Sequence, residues 1–207
     1  MSRFLGLARL FAVLAGTFVL AGCVTAKNSL SQDDISSMKL TDVTVSFAPD
    51  ASIQWEDGIR AYATAKAIPD DQIATATNTP EAKAYAQSLL APRIKAGVEK
   101  AMAGQLNGTR PVRLNIVIRS FTISPAIQRV VIGGGHGMVA DANLVDTRTG
   151  ATIMAHPKLG VALIVGQGVL GTAVQAAIDS ASTQSTADKI ADRYGESYRE
   201  WLLRKTS

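Results

Sequence analysis

Between Thr79 and Met102 apolar side chains recur at helical spacing, while residues 38–47 and 111–123 on either side alternate apolar with polar. The two periods are not interchangeable: one lays a stripe along a helix, the other an apolar face on a strand. A chain that switches from one to the other and back has to stack helix on sheet. The helix start is explicit. Thr79 offers a capping oxygen, Pro80 stands at the first helical position where its missing N–H is no loss, and Glu81 places an acid in the first turn. Ala82, Tyr85, Ala86, Leu89, Leu90, Ile94, Val98, Ala101 and Met102 form the stripe. Pro92 removes one backbone bond and predicts a kink, and Asn107-Gly108 reads as the stop.

In the first strand Val43, Val45 and Phe47 share one face and Thr44 and Ser46 the other. In the second, Leu114, Ile116 and Ile118 oppose Arg113, Asn115 and Arg119. A glycine run over residues 133–137, with His136 inside it, leads to a strand at 138–145. Asp146 to Gly150 is a hairpin turn in which Gly150 takes positive φ, and residues 151–155 return as a strand. A final helix over residues 183–203 buries Ala187, Ile190, Ala191, Tyr194, Tyr198, Trp201 and Leu202. Residues 48–79 are irregular and rich in Pro, Asp, Thr and Ala. Ile53 to Trp55 suits a short strand there, and Ile59, Tyr62 and Ala63 allow a helical turn instead. The expected fold class is α+β: a mostly antiparallel sheet, ordered strand, long helix, three- to four-strand meander, with two main helices packed on one face.

At the N-terminus Arg3 and Arg9 precede an uncharged apolar run over residues 10–21. Its length suits a signal-peptide core and falls short of the ~20 residues that span a bilayer. It ends in Leu20-Ala21-Gly22-Cys23, which resembles the lipobox of bacterial lipoproteins. The resemblance implies cleavage before Cys23, acyl chains on Cys23, and attachment to the membrane through those chains alone. Val24, where Asp would signal inner-membrane retention, implies the outer membrane with the domain facing the periplasm. The chain then divides into a signal peptide (1–22), a polar tether (23–37) carrying Ser29, Ser31, Asp33, Asp34, Ser36 and Ser37, and one periplasmic domain (38–207).

Cleavage leaves 185 residues with 19 basic and 17 acidic side chains. No lysine or arginine stripe remains to attract nucleic acid, so none is expected as a partner. Cys23 is the only cysteine. Once acylated it leaves no thiol for a disulfide, a thiolate nucleophile or a cysteine metal site.

The motifs of catalysis fare no better. His136 and His156 stand twenty residues apart, with no ligand pair at short metal-binding spacing. The glycine run precedes a strand, whereas a phosphate-binding loop opens a helix. Glu56-Asp57 and Asp70-Asp71 are adjacent pairs in polar sequence, and no Gly-x-Ser-x-Gly elbow occurs. No catalytic residue, metal or cofactor is assigned, and the chain is read as a non-enzyme. Leu159 to Ile178 runs twenty residues without a charge. It suits a buried strand, a glycine turn and a helix from Val169 into Ser180, or else a segment that enters lipid or packs on a partner. Gly166, Gly168 and Gly171, with Trp55 in the irregular stretch, form the candidate partner surface.

Ile53-Gln54-Trp55, the run Gly108-Thr109-Arg110-Pro111-Val112-Arg113-Leu114 and the Asp146 to Gly150 turn together resemble an uncharacterised family of proteobacterial lipoproteins whose domain has no assigned function. The likeness covers residues 38–202. It implies a non-enzymatic binding or envelope-assembly accessory with an envelope protein as partner. Auxiliary lipoproteins of ABC-type lipid-trafficking systems share the same layout and supply the second reading. An envelope hydrolase without a readable motif is the third.

Overall fold

A computed structural model describes residues 26–76, 78–125, 135–163 and 184–204. Helix α1 (Gln32–Ser37) leads into strand β1 (Met38–Trp55), which is followed by α2 (Glu56–Ala65), a 3-10 turn, α3 (Ile73–Ala76) and the long α4 (Pro80–Met102). Strands β2 (Arg110–Ile123), β3 (His136–Asp146) and β4 (Thr152–Leu163) come next, and α5 (Thr186–Leu203) closes the described chain. The sheet order is β1-β2-β3-β4. β2, β3 and β4 form an antiparallel meander, while β1 lies parallel to β2, from Met38 beside Arg110 to Trp55 beside Ile123. Parallel neighbours need a long crossover, and α2 to α4 supply it. The α+β expectation holds.

Helices α4 and α5 cover one face of this sheet. Leu90, Ile94 and Val98 of α4 and Ile190, Tyr194 and Tyr198 of α5 are buried against Leu114, Ile116 and Ile118 of β2 and Met138, Ala140 and Leu144 of β3. The Tyr194 hydroxyl donates to the Ala140 carbonyl at 3.3 Å. The two helices run parallel: Arg93 bonds Asp188 at 2.9 Å, and Lys100 bonds Asp192 at 2.6 Å further along both. They meet through glycine. A Cβ on Gly97 would stand 2.6 Å from the Ala191 carbonyl carbon, and one on Gly195 would stand 2.8 Å from the Ala101 Cβ.

Helix starts follow the sequence closely. Thr79 accepts the Ala82 N–H at 3.2 Å with Pro80 inside the first turn. Ser185 and Asp188 form a reciprocal capping box on α5. Gly150 takes φ 73° in the hairpin turn, as expected. The end of α4 comes earlier than the sequence suggested, at Met102. Gly104 turns the chain with φ 68°, and Leu106 folds back into the core. Gly108 has another duty: its N–H donates to Met38 O at 2.7 Å, and a Cβ there would lie 2.2 Å from the Ser37 carbonyl carbon.

Three further expectations change. β1 does not stop at residue 47 but continues to Trp55 through an irregularity between Phe47 and Ser52. Residues 56–65, placed in an irregular stretch, form helix α2, whose Tyr62 packs edge-on against Tyr85 of α4 at 5.6 Å. β4 is likewise one strand: the strand expected over residues 151–155 runs on through Leu163 into the one expected at the start of the uncharged run. The uncharged run thus begins in its last residues, and residues 164–178 lie outside the described residues.

The irregularities align. Ala48 to Ala51 of β1 stand opposite Arg119 of β2, Arg119 pairs with Asp141 of β3, and Pro157-Lys158 of β4 bulge beside Asp141. Asp141 accepts two bonds from Arg119 Nε and Nη2 at 2.9 and 2.6 Å, and the Lys158 N–H at 2.8 Å. Those bonds, with the Arg119 guanidinium first, hold the Asp141 carboxyl below its ordinary range. A polar seam therefore crosses all four strands.

The polar tether is also revised over its described part. Asn28 Nδ2 donates to the Trp201 and Leu202 carbonyls at 3.2 and 2.7 Å, and Trp201 Nε1 donates to Ala26 O at 2.6 Å. Leu30 and Ile35 are buried, and Ser31 caps α1 in a reciprocal box with Asp34. Composition reads such a segment as free because its fixing bonds use backbone carbonyls, which every residue carries.

Candidate functional site

Where β1 ends and α4 begins, the chain leaves a half-open groove of about 510 Å³. Ala51, Trp55 and Ala86 lie lowest in it and are buried, Ile53 and Ile59 are half-buried, and Pro80 is more exposed. Asn78, Thr79 and Lys83 supply the polar lining. Ala86 of the α4 stripe lines the groove with a methyl group where leucine stands one turn later at Leu90. The volume lies within the ~300–1,000 Å³ range of ordinary ligand sites. Among the described residues Lys83 is the single titratable side chain of the lining. Just outside it, Lys66 and Glu81 pair at 2.7 Å, which holds the Glu81 carboxyl below its usual range.

Trp55 is the hinge of this site and departs from its expected role. It is only 6% exposed, packs edge-on to Phe121 with centroids 6.3 Å apart, and has the Arg93 guanidinium 5.9 Å from its ring. A Cβ on Gly58 would meet the indole at 2.5 Å. Trp55 is thus a core residue with one side towards the groove, not an exposed partner contact. The short strand expected over Ile53 to Trp55 is the end of β1, separated from its first part by the four-residue bulge at 48–51. Among the described residues the Trp55 Nε1 has no hydrogen-bond partner, and neither does the Tyr198 hydroxyl, though both atoms are buried. Burial pushes the Tyr198 phenol well above its ordinary range.

The remaining candidates are scattered. Leu20, Ala21, Gly22 and Cys23 lie outside the described residues, as do Gly166, Gly168 and Gly171. His136 is not in a loop: it opens β3, is buried, and its Nδ1 accepts the Ser124 N–H at 3.1 Å. His156 is buried in β4, edge-on to Trp201 at 4.6 Å. His136 pairs with Leu163 and His156 with Ala142, six residues along β3, which at ~3.3 Å per residue separates the imidazoles by about 20 Å. They share no ligand. Among the described residues no group of three metal-binding side chains occurs. Glu56 pairs with Arg60 at 2.6 Å in the first turns of α2, and Asp70-Asp71 open the exposed 3-10 turn. No described helix is long and apolar enough to cross a membrane.

Ile59 and Asn78 fall within the irregular stretch 48–79 without being singled out as site residues, and Lys83 lies outside it. Their shared signal is the alanine-rich first half of the α4 stripe beside an unassigned tryptophan.

Fold and groove together define an α+β domain with an apolar cleft at one end of a four-stranded sheet. No protein-family model and no curated protein matches the chain. Among solved structures it is similar to a candidate lipoprotein from Caulobacter crescentus, at 13% identity over 55% of this chain and 80% of that one, TM-score 0.31. A Xanthomonas campestris protein of the DUF330 family is similar at 12% identity over 87% and 91%, TM-score 0.40. A lipoprotein from Neisseria meningitidis follows at 15% identity over 70% and 100%, TM-score 0.24. These are distant likenesses in structure, and they assign neither ligand nor activity.

Proposed function

We propose that this chain is a lipid-anchored envelope protein, held at the outer membrane through Cys23 and facing the periplasm, that works by binding a partner protein and not by catalysis. The observation that supports the binding role is the groove lining: apolar carbon from Ala51, Ile53, Trp55, Ile59 and Ala86 beside one ammonium, Lys83. Such a surface offers contact area and one charge. Acid–base chemistry calls for converging titratable groups. The fitting occupant is a segment of an envelope protein that presents an apolar side chain next to a carboxylate. Anchor and groove are tested separately. Cys23→Ser should abolish palmitate incorporation, and normal labelling of that variant would refute the anchor. A photo-crosslinking residue at Asn78 in intact cells should trap one discrete partner, and Lys83→Glu should reduce that product several-fold. A product indifferent to Lys83→Glu would refute the groove as the contact.

A further inference from the structure

The bonds between residues 26–30 and the end of α5 do more than tidy a terminus. A helix leaves its last carbonyls without intrahelical partners. Here the Asn28 side chain, from the far end of the sequence, satisfies two of them, at Trp201 and Leu202. In return the Trp201 indole donates to Ala26 O. The Arg204 guanidinium donates to Asn28 O at 3.1 Å and to Leu30 O, from a residue itself in the left-handed region at φ 54°. Leu30 and Ile35 then enter the core and α1 hands the chain to β1. Five side-chain-to-backbone bonds thus fix a stretch that precedes the first strand.

We infer that residues 26–30 are a rigid mount, which seats the α5 C-terminal end of the domain on the lipid headgroup layer and points the groove away from it. The inference rests on the anchor reading of Cys23. Two residues, Val24 and Thr25, lie between Cys23 and Ala26, and at ~3.3–3.6 Å per residue the three steps reach no further than about 11 Å. A flexible tether would let the domain tumble, whereas an anchor this close to a bonded point cannot. Geometry sets which end faces the lipid. α4 and α5 run parallel, with Gly195 of α5 against Ala101 of α4, so the α5 terminus lies at the opposite end from Pro80 and the groove. At 1.5 Å per residue along the two helices the separation is roughly 40 Å. The strand ends at the mount's side of the sheet add the exposed cations Lys39 and Arg148, and Lys27 lies within the mount itself. Helix α1 brings the exposed acids Asp33 and Asp34 to the same end, so the acyl chains, and not a net positive charge, carry the attachment.

The test uses the full lipidated chain in vesicles of phosphatidylethanolamine and phosphatidylglycerol that carry a headgroup-bound quencher. Acylation of the only native cysteine leaves introduced thiols free for a fluorophore. A probe at Arg148→Cys should be quenched several-fold more than one at Asn78→Cys. Asn28→Ala should erase most of that difference while urea melts report the core still folded, and Asn28→Gln, which keeps the amide donor, should retain more of it. Protein that floats with the vesicles yet shows equal quenching at both positions overturns the mount alone. Protein that takes up no palmitate and does not float overturns the anchor and the mount's membrane role together.

Discussion

Gly97→Ala puts the packing of α4 on α5 to a direct test. In an isolated helix the change would be favourable, since glycine is about 0.8–1 kcal/mol worse than alanine in a helix interior. In this domain the added methyl would lie 2.6 Å from the Ala191 carbonyl carbon, 2.7 Å from its Cβ and 2.8 Å from Asp192 N. Carbon atoms attract best at about 3.5–4.0 Å, so the helices would have to part by roughly 1 Å. A gap of that size forfeits about a quarter to a half of each contact along the seam. Overpacking in cores commonly costs ~1–3 kcal/mol. The gain in propensity offsets only part of this, and we expect a net loss of about 1–2 kcal/mol, or roughly 2–8 °C in Tm for a domain of this size. Urea melts at constant m-value measure it. Two of the three nearest atoms are backbone, so adding Ala191→Gly should rescue less than half. A neutral or stabilised Gly97→Ala, or full rescue in the double variant, would refute backbone contact at this crossing.

The tryptophans should rank by burial, so Trp55→Ala, at 6% exposure, should cost about 3–5 kcal/mol and exceed Trp201→Ala, whose ring is only half-buried; urea melts showing the reverse order would refute the packing of β1 through its bulge. Trp55→Phe should be mild, because it also removes a buried N–H without a partner among the described residues. Asp141 has its folded pKa depressed by Arg119, so its contribution is present above the unfolded value of about 3.9 and lost as pH falls through the folded one. Asp141→Asn should therefore lower stability by about 1–3 kcal/mol at pH 7 and flatten its decline below about pH 4; a decline as steep as in the parent chain would refute the assignment.

Much of the fold is legible in the sequence where one residue type has one physical use. Thr79-Pro80 marks a helix start because capping oxygen and missing N–H both belong there, and Gly150 marks a turn because its φ excludes most side chains. The errors fall where a residue has two uses. Gly108 looks like a helix stop but is required by close approach to Ser37, and the stop falls to Gly104. Ile53 to Trp55 looks like a separate short strand because alternation breaks at residues 48–51, and periodicity cannot tell a bulge from the end of a strand. The groove itself is hidden because it is made of what is missing: the alanine at position 86 registers as ordinary helix stripe until a sheet lies beneath it.

The polar seam across the sheet carries a consequence for crowding. It places a proline on each rim, Pro49 in β1 and Pro157 in β4, where the outer strands would otherwise offer unpaired N–H groups to another chain. The β4 rim is cut into two stretches of five residues, Thr152 to His156 and Leu159 to Leu163, with Lys158 at φ 51° turning the backbone between them. Proteins fixed to one membrane by acyl chains share a surface and meet rim to rim far more often than they would in free solution. A sheet with whole rims would invite its neighbours to extend it. On the anchor proposed at Cys23, the bulges that interrupt both rims of the described four-stranded sheet would keep crowded copies from extending it.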